Sequence, residues 1–270
     1  MTHRYAPPLL LLGSLLSGAL LLSACSHTPA PPAAPANSYQ RLIGLAGDLE
    51  QRGDPASAAS LYQRATEQPE ANVDTWLKLG HALLAAHDDR GAERAYQQAL
   101  ELQTDNSDAL LGLGTAQLRS GKLDRAVTVL TQAAVDAPQA LTFNRLGVAQ
   151  ILRGQAAAAQ SAFRSSLKLA PNDLDTQCNL ALAYALGGQH EQALSTIRSV
   201  GLSPRALPRH QRNQLLVTVL AGHDKDAAAL TLEDISASER QTLLVEARRI
   251  KAIKDPIQQA RELGLVDSAH

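Results

Sequence analysis

The chain has 270 residues, 45% of them hydrophobic but only 3% aromatic, and a formal net charge of -1. That length can bury a sizeable core, and an apolar content drawn mainly from alanine and leucine favours packed helices over sheets. No stretch concentrates lysine or arginine, which argues against a nucleic-acid surface. The two cysteines, Cys25 and Cys178, stand far apart, which argues against a structural disulfide.

The first 24 residues read as an export signal. Arg4 and the α-amino group precede an apolar run, 9–22, broken only by Gly, Ser and Ala. As a helix, that run would rise roughly 21 Å, short of the roughly 30 Å hydrocarbon core a spanning helix must cross. A positive start, a short apolar middle and small residues before a cut are the marks of a signal peptide. The ending Leu22-Ser23-Ala24-Cys25 resembles the lipobox of bacterial lipoproteins. The resemblance implies cleavage before Cys25, a thioether-linked lipid on its sulfur and acylation of the new amino group. Each buried CH₂ adds about 0.8 kcal/mol, and two or more acyl chains suffice for a firm anchor. A cleaved signal with an incidental Cys25, or an uncleaved anchor, are the alternatives. Ser26 follows the cysteine, and by resemblance to Gram-negative lipoproteins a residue other than Asp there implies the outer membrane.

Residues 26–38, SHTPAPPAAPANS, hold four prolines and no charged side chain. With little to bury, such a segment does not fold. Proline keeps it extended at about 3.1 Å per residue, a reach of roughly 40 Å. The lipidated tether is therefore expected over 25–38.

From Tyr39 onward the sequence repeats. DTWLKLGHALLAAHDDRGAERAYQQALEL (74–102), DALLGLGTAQLRSGKLDRAVTVLTQAAVD (108–136) and LTFNRLGVAQILRGQAAAAQSAFRSSLKLAP (141–171) share a Leu-Gly pair and a mid-unit break. Each then has an alanine with a bulky residue four positions later. These stretches resemble tetratricopeptide (TPR) repeats, helix–turn–helix units with a period of about 34 residues. Six units are expected, starting near Tyr39, Val73, Ser107, Ala140, Leu174 and Arg209. A small residue in each of the first five units' opening helices (Ala46, Gly80, Gly114, Gly147, Ala181) lets the two helices of a unit approach. An alanine follows in each second helix (Ala58, Ala92, Ala126, Ala159, Ala193, Ala228). A bulky plug comes four residues later (Tyr62, Tyr96, Leu130, Phe163, Ile197, Leu232). Gly53, Gly121, Gly154 and Gly188 mark inter-helix turns, and Pro138 and Pro171 close their units. The sixth unit departs, with Leu216 where a small residue belongs and no closing proline.

The run SASERQTLLVEARRIKAI (236–253) carries a capping-box serine and glutamate before apolar residues at helical spacing, and reads as a helix closing the stack. DPIQQARELGL (255–265) is either one more short helix or loose chain. The expected whole is an all-α TPR superhelical solenoid over 39–242 with a capping helix and tail over 236–270.

No catalytic constellation stands out, so the chain is read as a non-enzyme with no cofactor. The eight histidines make no metal-ligand spacing, HEQAL (190–194) ends in leucine where a zinc helix needs histidine, and GLGT (112–115) belongs to the repeat. Cys178 reads as a small hydrophobe in the opening helix of unit five. What such a stack does is bind. By resemblance to TPR superhelices, positions two, five, nine and twelve of each opening helix face a concave trough. The expected peptide-binding residues are Leu77, His81 and Leu84; Leu111, Thr115 and Leu118; Asn144, Val148 and Ile151; and Leu182, with Cys178, Ala185, Asn213, Val217 and Leu220 in the same rows. An apolar trough of this kind suits an amphipathic helix or an extended peptide, though some of these leucines could instead pack against the neighbouring unit. Changing Leu111 and Leu118 to Asp is expected to abolish binding while leaving helical content intact.

The run PRHQRNQLLVTVLAGHDKDAAALTLEDISASE (208–239) resembles the C-terminal part of the TadD-type TPR lipoproteins of tight-adherence (Flp) pilus systems. Arg212 and Asn213 open the family's pattern, Gly222 and the alanines of 227–229 continue it, and residues 234–236 supply its break. The sequence departs from the family where Gln214-Leu215-Leu216 follows Asn213. The resemblance implies an outer-membrane, lipid-anchored, periplasm-facing protein. It would bind other Flp/Tad components, such as the secretin, as a scaffold. The alternatives are a type IV pilus pilotin or an adaptor for peptidoglycan enzymes.

Overall fold

The structure is a computed structural model that describes residues 37–232 and 235–263. The signal, Cys25 and the tether lie outside the described residues. Among the described residues there are fourteen helices and no strand, and no helix is long and apolar enough to cross a membrane.

Twelve helices form six pairs. The opening helices are α1 (Ser38–Gln51), α3 (Val73–Ala85), α5 (Ser107–Arg119), α7 (Ala140–Leu152), α9 (Leu174–Leu186) and α11 (Pro208–Leu220). Their partners are α2 (Pro55–Thr66), α4 (Asp89–Leu102), α6 (Leu123–Asp136), α8 (Ala156–Leu169), α10 (His190–Gly201) and α12 (Asp224–Ala229). α13 (Ala237–Ala252) and α14 (Pro256–Glu262) follow. Successive helices pack in series, and each opening helix from α3 to α9 also touches the next opening helix. The opening helices therefore form one continuous inner layer.

Local chemistry sets the helix starts. Asn37, Asp54, Asn72, Asp88, Asn106, Asp173 and Ser236 each accept a hydrogen bond from a backbone N–H in the first turn of the helix that follows. Such side chains satisfy donors that have no intrahelical partner. The turn inside each pair needs one residue in the left-handed region. Five of the six are glycines, Gly53, Gly121, Gly154, Gly188 and Gly222, with φ between 72° and 92°, and the sixth is His87 at φ 61°.

Packing explains the small seats. The plugs Tyr62, Tyr96, Leu130, Phe163 and Ile197 are essentially inaccessible. A Cβ added at Gly147 would sit 2.4 Å from Phe163 Cε1, and one at Gly114 would sit 2.5 Å from Leu130 Cγ. Glycine at these positions is what allows the ring or branched side chain to lie against the neighbouring backbone. Ala46 and Ala181 fill the same seat in units one and five with no exposed surface.

Unit six is shifted by one residue from the expected register. α11 starts at Pro208, not Arg209; Ala227 is buried while Ala228 is exposed; and Leu215, not Leu216, takes the small seat. α12 ends at Ala229, so the expected plug Leu232 lies beyond the helix, half-buried and packed with Leu230 at the margin of the cluster that holds Leu215. Leu215 packs there with Val219, Ala227, and Leu244 and Ala247 of α13.

Candidate functional site

The inner layer has two halves of different character. In the first, α3, α4, α5 and α7 surround a cavity of about 770 Å³. His81, Leu84, Leu111 and Thr115 line it, together with Tyr96, Asp108, Arg119, Leu141 and Arg145. His81 is exposed, and Leu84 and Leu111 are half-buried. The His81 and Tyr96 rings lie 5.8 Å apart at 59°. The walls are apolar, and Leu141 at the rim is 49% exposed.

One end of the cavity carries charged groups, Arg119, Arg145 and Asp108. Arg119 Nε lies 2.8 Å from Asp89 Oδ1, and its Nη1 donates to the Leu84 carbonyl at 3.0 Å, with Nη2 3.0 Å from His87 Nδ1. Arg145 is buried, and that burial, with the repulsion of nearby Arg119, pushes its guanidinium down to about 10. It remains charged at neutral pH, so two cations stand beside the apolar wall. His87, the non-glycine at a left-handed turn, is also at this edge. Tyr96 contributes a buried hydroxyl that has no hydrogen-bond partner. Burial, then the charge of Asp108, holds that phenol well above its ordinary range.

Sequence reasoning missed Arg119, Arg145 and Tyr96 here. Arg145 stands in the middle of α7 among apolar neighbours, a signal the sequence carries, whereas Arg119 ends α5, where a basic residue is ordinary. Tyr96 was read only as a plug, although Gly80 and Gly112 leave its ring flanked by bare backbone.

The second half is closed, and this corrects much of the expected groove. Val148, Ile151 and Leu182 are fully buried, as is Cys178 in the same rows. They belong to one hydrophobic cluster with Val217 and Leu220 of α11, Ile250 of α13 and Ala260 of α14. The physical reason is the chain's own tail: α13 packs on α11 and α14 packs on α7. Leu118 is also completely buried in this cluster, so the expectation that Leu118→Asp spares the helices fails. Asn144 turns its amide to a neighbour, Nδ2 donating to Thr176 Oγ1 at 2.5 Å, and is buried. Leu77 is half-buried and outside the cavity, packed against the cluster around Tyr96.

Cys178 is chemically quiet. Burial pushes its thiol up to about 12, so essentially no thiolate forms at neutral pH. Beside it, Asp175 ties α9 to α11: Arg209 Nε and Nη2 donate to its two oxygens at 2.9 Å. His210 accepts the Leu207 amide at Nδ1, leaving Nε2 to donate to Asp175 at 2.9 Å. Among the described residues no three of His, Cys, Asp and Glu gather as a metal-ligand set.

The sequence of the cilia and flagella-associated protein 70 middle TPR-like domain family matches residues 42–145. No curated protein matches at a significant level. Among solved structures, a tetratricopeptide repeat protein from Parabacteroides merdae superposes with a TM-score of 0.66 at 16% identity, covering 87% of this chain and 94% of that one. PilW, a widely conserved type IV pilus biogenesis factor, gives 0.60 at 15% identity, covering 84% and 99%. Pseudomonas aeruginosa PilF gives 0.59 at 17% identity, covering 83% and 96%. At these identities the likeness is one of fold, and the fold is that of a TPR-like helical stack.

Proposed function

We propose that this chain is a lipid-anchored scaffold of the outer membrane, facing the periplasm, that serves Flp/Tad pilus assembly by holding a segment of another component such as the secretin. It acts by binding and not by catalysis. The observation that carries the reading is the open, largely apolar cavity on the inner layer, on a stack whose sequence carries a lipobox and a proline tether ahead of it. Such a surface suits a partner segment with an apolar face. The lipid at Cys25 would keep that cavity near the membrane, where a tethered pair meets at an effective concentration of about millimolar for a short linker. The resemblance of residues 208–239 to TadD-type proteins supports the Flp/Tad assignment.

Pull-down from detergent-solubilised envelope tests this. The chain should capture the Flp secretin, and Leu111→Asp, at a half-buried wall position, should weaken capture about tenfold with helicity unchanged. Labelled palmitate should mark the protein and be lost with Cys25→Ser. A second reading, a type IV pilus pilotin, is favoured by the fold shared with PilW and PilF over most of this chain. Capture of a type IV secretin in place of the Flp one would establish it.

A further inference from the structure

A short helix near the end of the chain, α14, packs on the closed half of the inner layer and has the form of a ligand. α14 has seven residues, with Pro256 at its start and Asp255 accepting a hydrogen bond from the Ile257 amide. Pro256 and Ile257 stand over the turn of unit four, where a Cβ added at Gly154 would lie 3.3 Å from Ile257 Cγ1 and 3.7 Å from Pro256 Cβ. Ala260 has no exposed surface and joins the cluster that contains Val148, Ile151 and Leu182, with Leu263 packed at its margin. Residues 257, 260 and 263 fall on one helical stripe. From the polar side, Glu262 pairs with Arg249 at 2.5 Å.

We propose that α14 is an intramolecular stand-in for a partner's helix. Its pattern, Ile-x-x-Ala-x-x-Leu, occupies a seat on α7 that an amphipathic helix of the same pattern from a binding partner takes by displacement. This rests on reading the inner layer as the binding face.

Two contrasts with α13 mark α14 as the removable piece. α13 buries Leu244, Ala247 and Ile250 and continues the stack from α11, whereas α14 buries Ala260 alone. α14 hangs from α13 by a three-residue link, 253–255, and packs on α7, far back along the sequence. A helix of this length has little stability of its own, so its population in the seat depends on that contact, and segments so held open at low free-energy cost. The seat also states what fits it. Ala260, with no exposed surface, leaves no room for a larger residue at the centre, while the exposed Ile257 and half-buried Leu263 leave the flanking positions free to take branched side chains.

The test uses the full chain and a fluorescein-labelled synthetic peptide of residues 253–263. In the unmodified protein, amides of α14 should exchange with deuterium about tenfold faster than those of α7, and the peptide should bind weakly. Ala260→Asp should unseat α14, expose the α7 and α9 amides and raise peptide affinity about tenfold. A peptide carrying the same Ala260→Asp change should bind neither protein. The proposal is overturned if α14 and α7 exchange together, if the peptide binds Ala260→Asp no better, or if Ala260→Asp strips protection from α3–α6, since α14 would then be part of the core. No pilus component enters the measurement, so its failure leaves secretin capture standing, and a failed pull-down leaves the displacement intact.

Discussion

Alanine substituted for glycine in a helix ordinarily stabilises, and this protein offers a site where the sign should reverse beside one where it should not. Glycine in a helix interior costs about 1 kcal/mol relative to alanine. Gly44 in α1 is exposed, and a Cβ there meets nothing within 4 Å, so Gly44→Ala should gain about 0.5–1 kcal/mol. At Gly147 the same methyl would fall 2.4, 2.6 and 2.7 Å from three atoms of the Phe163 ring. Ordinary contact starts near 3.4 Å, so the ring must retreat by about 1 Å, and Phe163 is wholly enclosed. Overpacking of this kind costs about 1–3 kcal/mol. Set against the propensity gain, Gly147→Ala should destabilise by up to about 2 kcal/mol, centred near 1. Thermal melts followed by circular dichroism should show Gly44→Ala raised and Gly147→Ala lowered, by about 2–4 °C per kcal/mol. Phe163→Leu in the Gly147→Ala background should recover part of the loss, the mark of a shared contact. Equal shifts for the two alanine variants would refute the claim that the glycine row exists to seat the plugs.

Tyr96→Phe should be neutral or stabilising by about 1 kcal/mol, because it deletes a buried hydroxyl with no partner. Tyr62→Phe should cost about 1 kcal/mol, because the Tyr62 hydroxyl donates to Glu50 Oε2 at 2.8 Å; chemical denaturation compares the two. Arg209, then His210, hold the Asp175 carboxyl below its ordinary range, so its contribution is present above about pH 3.9 and is lost as pH falls through its lower folded value. The pair is half-exposed, so Asp175→Asn should cost only about 0.5–1 kcal/mol near neutrality, with the two melting points converging in acid. Cys178 should resist thiol reagents in the folded protein and react once urea unfolds α9, which mass spectrometry reads directly.

The repeat was legible because its rules are local. A small seat, a plug and a left-handed turn recur at fixed spacing, and each is dictated by neighbours within the same hairpin. Unit six blurred by one residue because the alanines of 227–229 offer three equivalent candidates for the buried seat, and only the early end of α12 decides among them. The trough was legible by direction but not by accessibility. Repeat position tells which way Val148, Ile151 and Leu182 point; it carries no information on a tail that returns from more than sixty residues away to cover them. For the same reason α14 was open as helix or loose chain, since its order comes from α7 and not from its own composition.

The two halves should also differ in stability, in a way that bears on where a partner acts. The largest hydrophobic cluster runs from Leu118 of α5 through α7, α9 and α11 to Ala260. Units one and two rely on separate, smaller clusters around Tyr62 and Tyr96. In a stack whose units contact only their neighbours, stability is roughly a sum of local and interface contributions, so the thinly filled end opens first. Hydrogen exchange in rising, sub-denaturing urea should therefore release the amides of α1–α4 before those of α7–α11. Simultaneous release would mean that the whole stack is one cooperative block. The open cavity stands at this junction, walled by α3, α4 and α5 on the weaker side and by α7 on the stronger. A ligand bound there gains from holding the two together, and by mass action its binding free energy adds to the stability of the weaker units. The part of the molecule next to the tether in sequence is thus the part a partner would firm most.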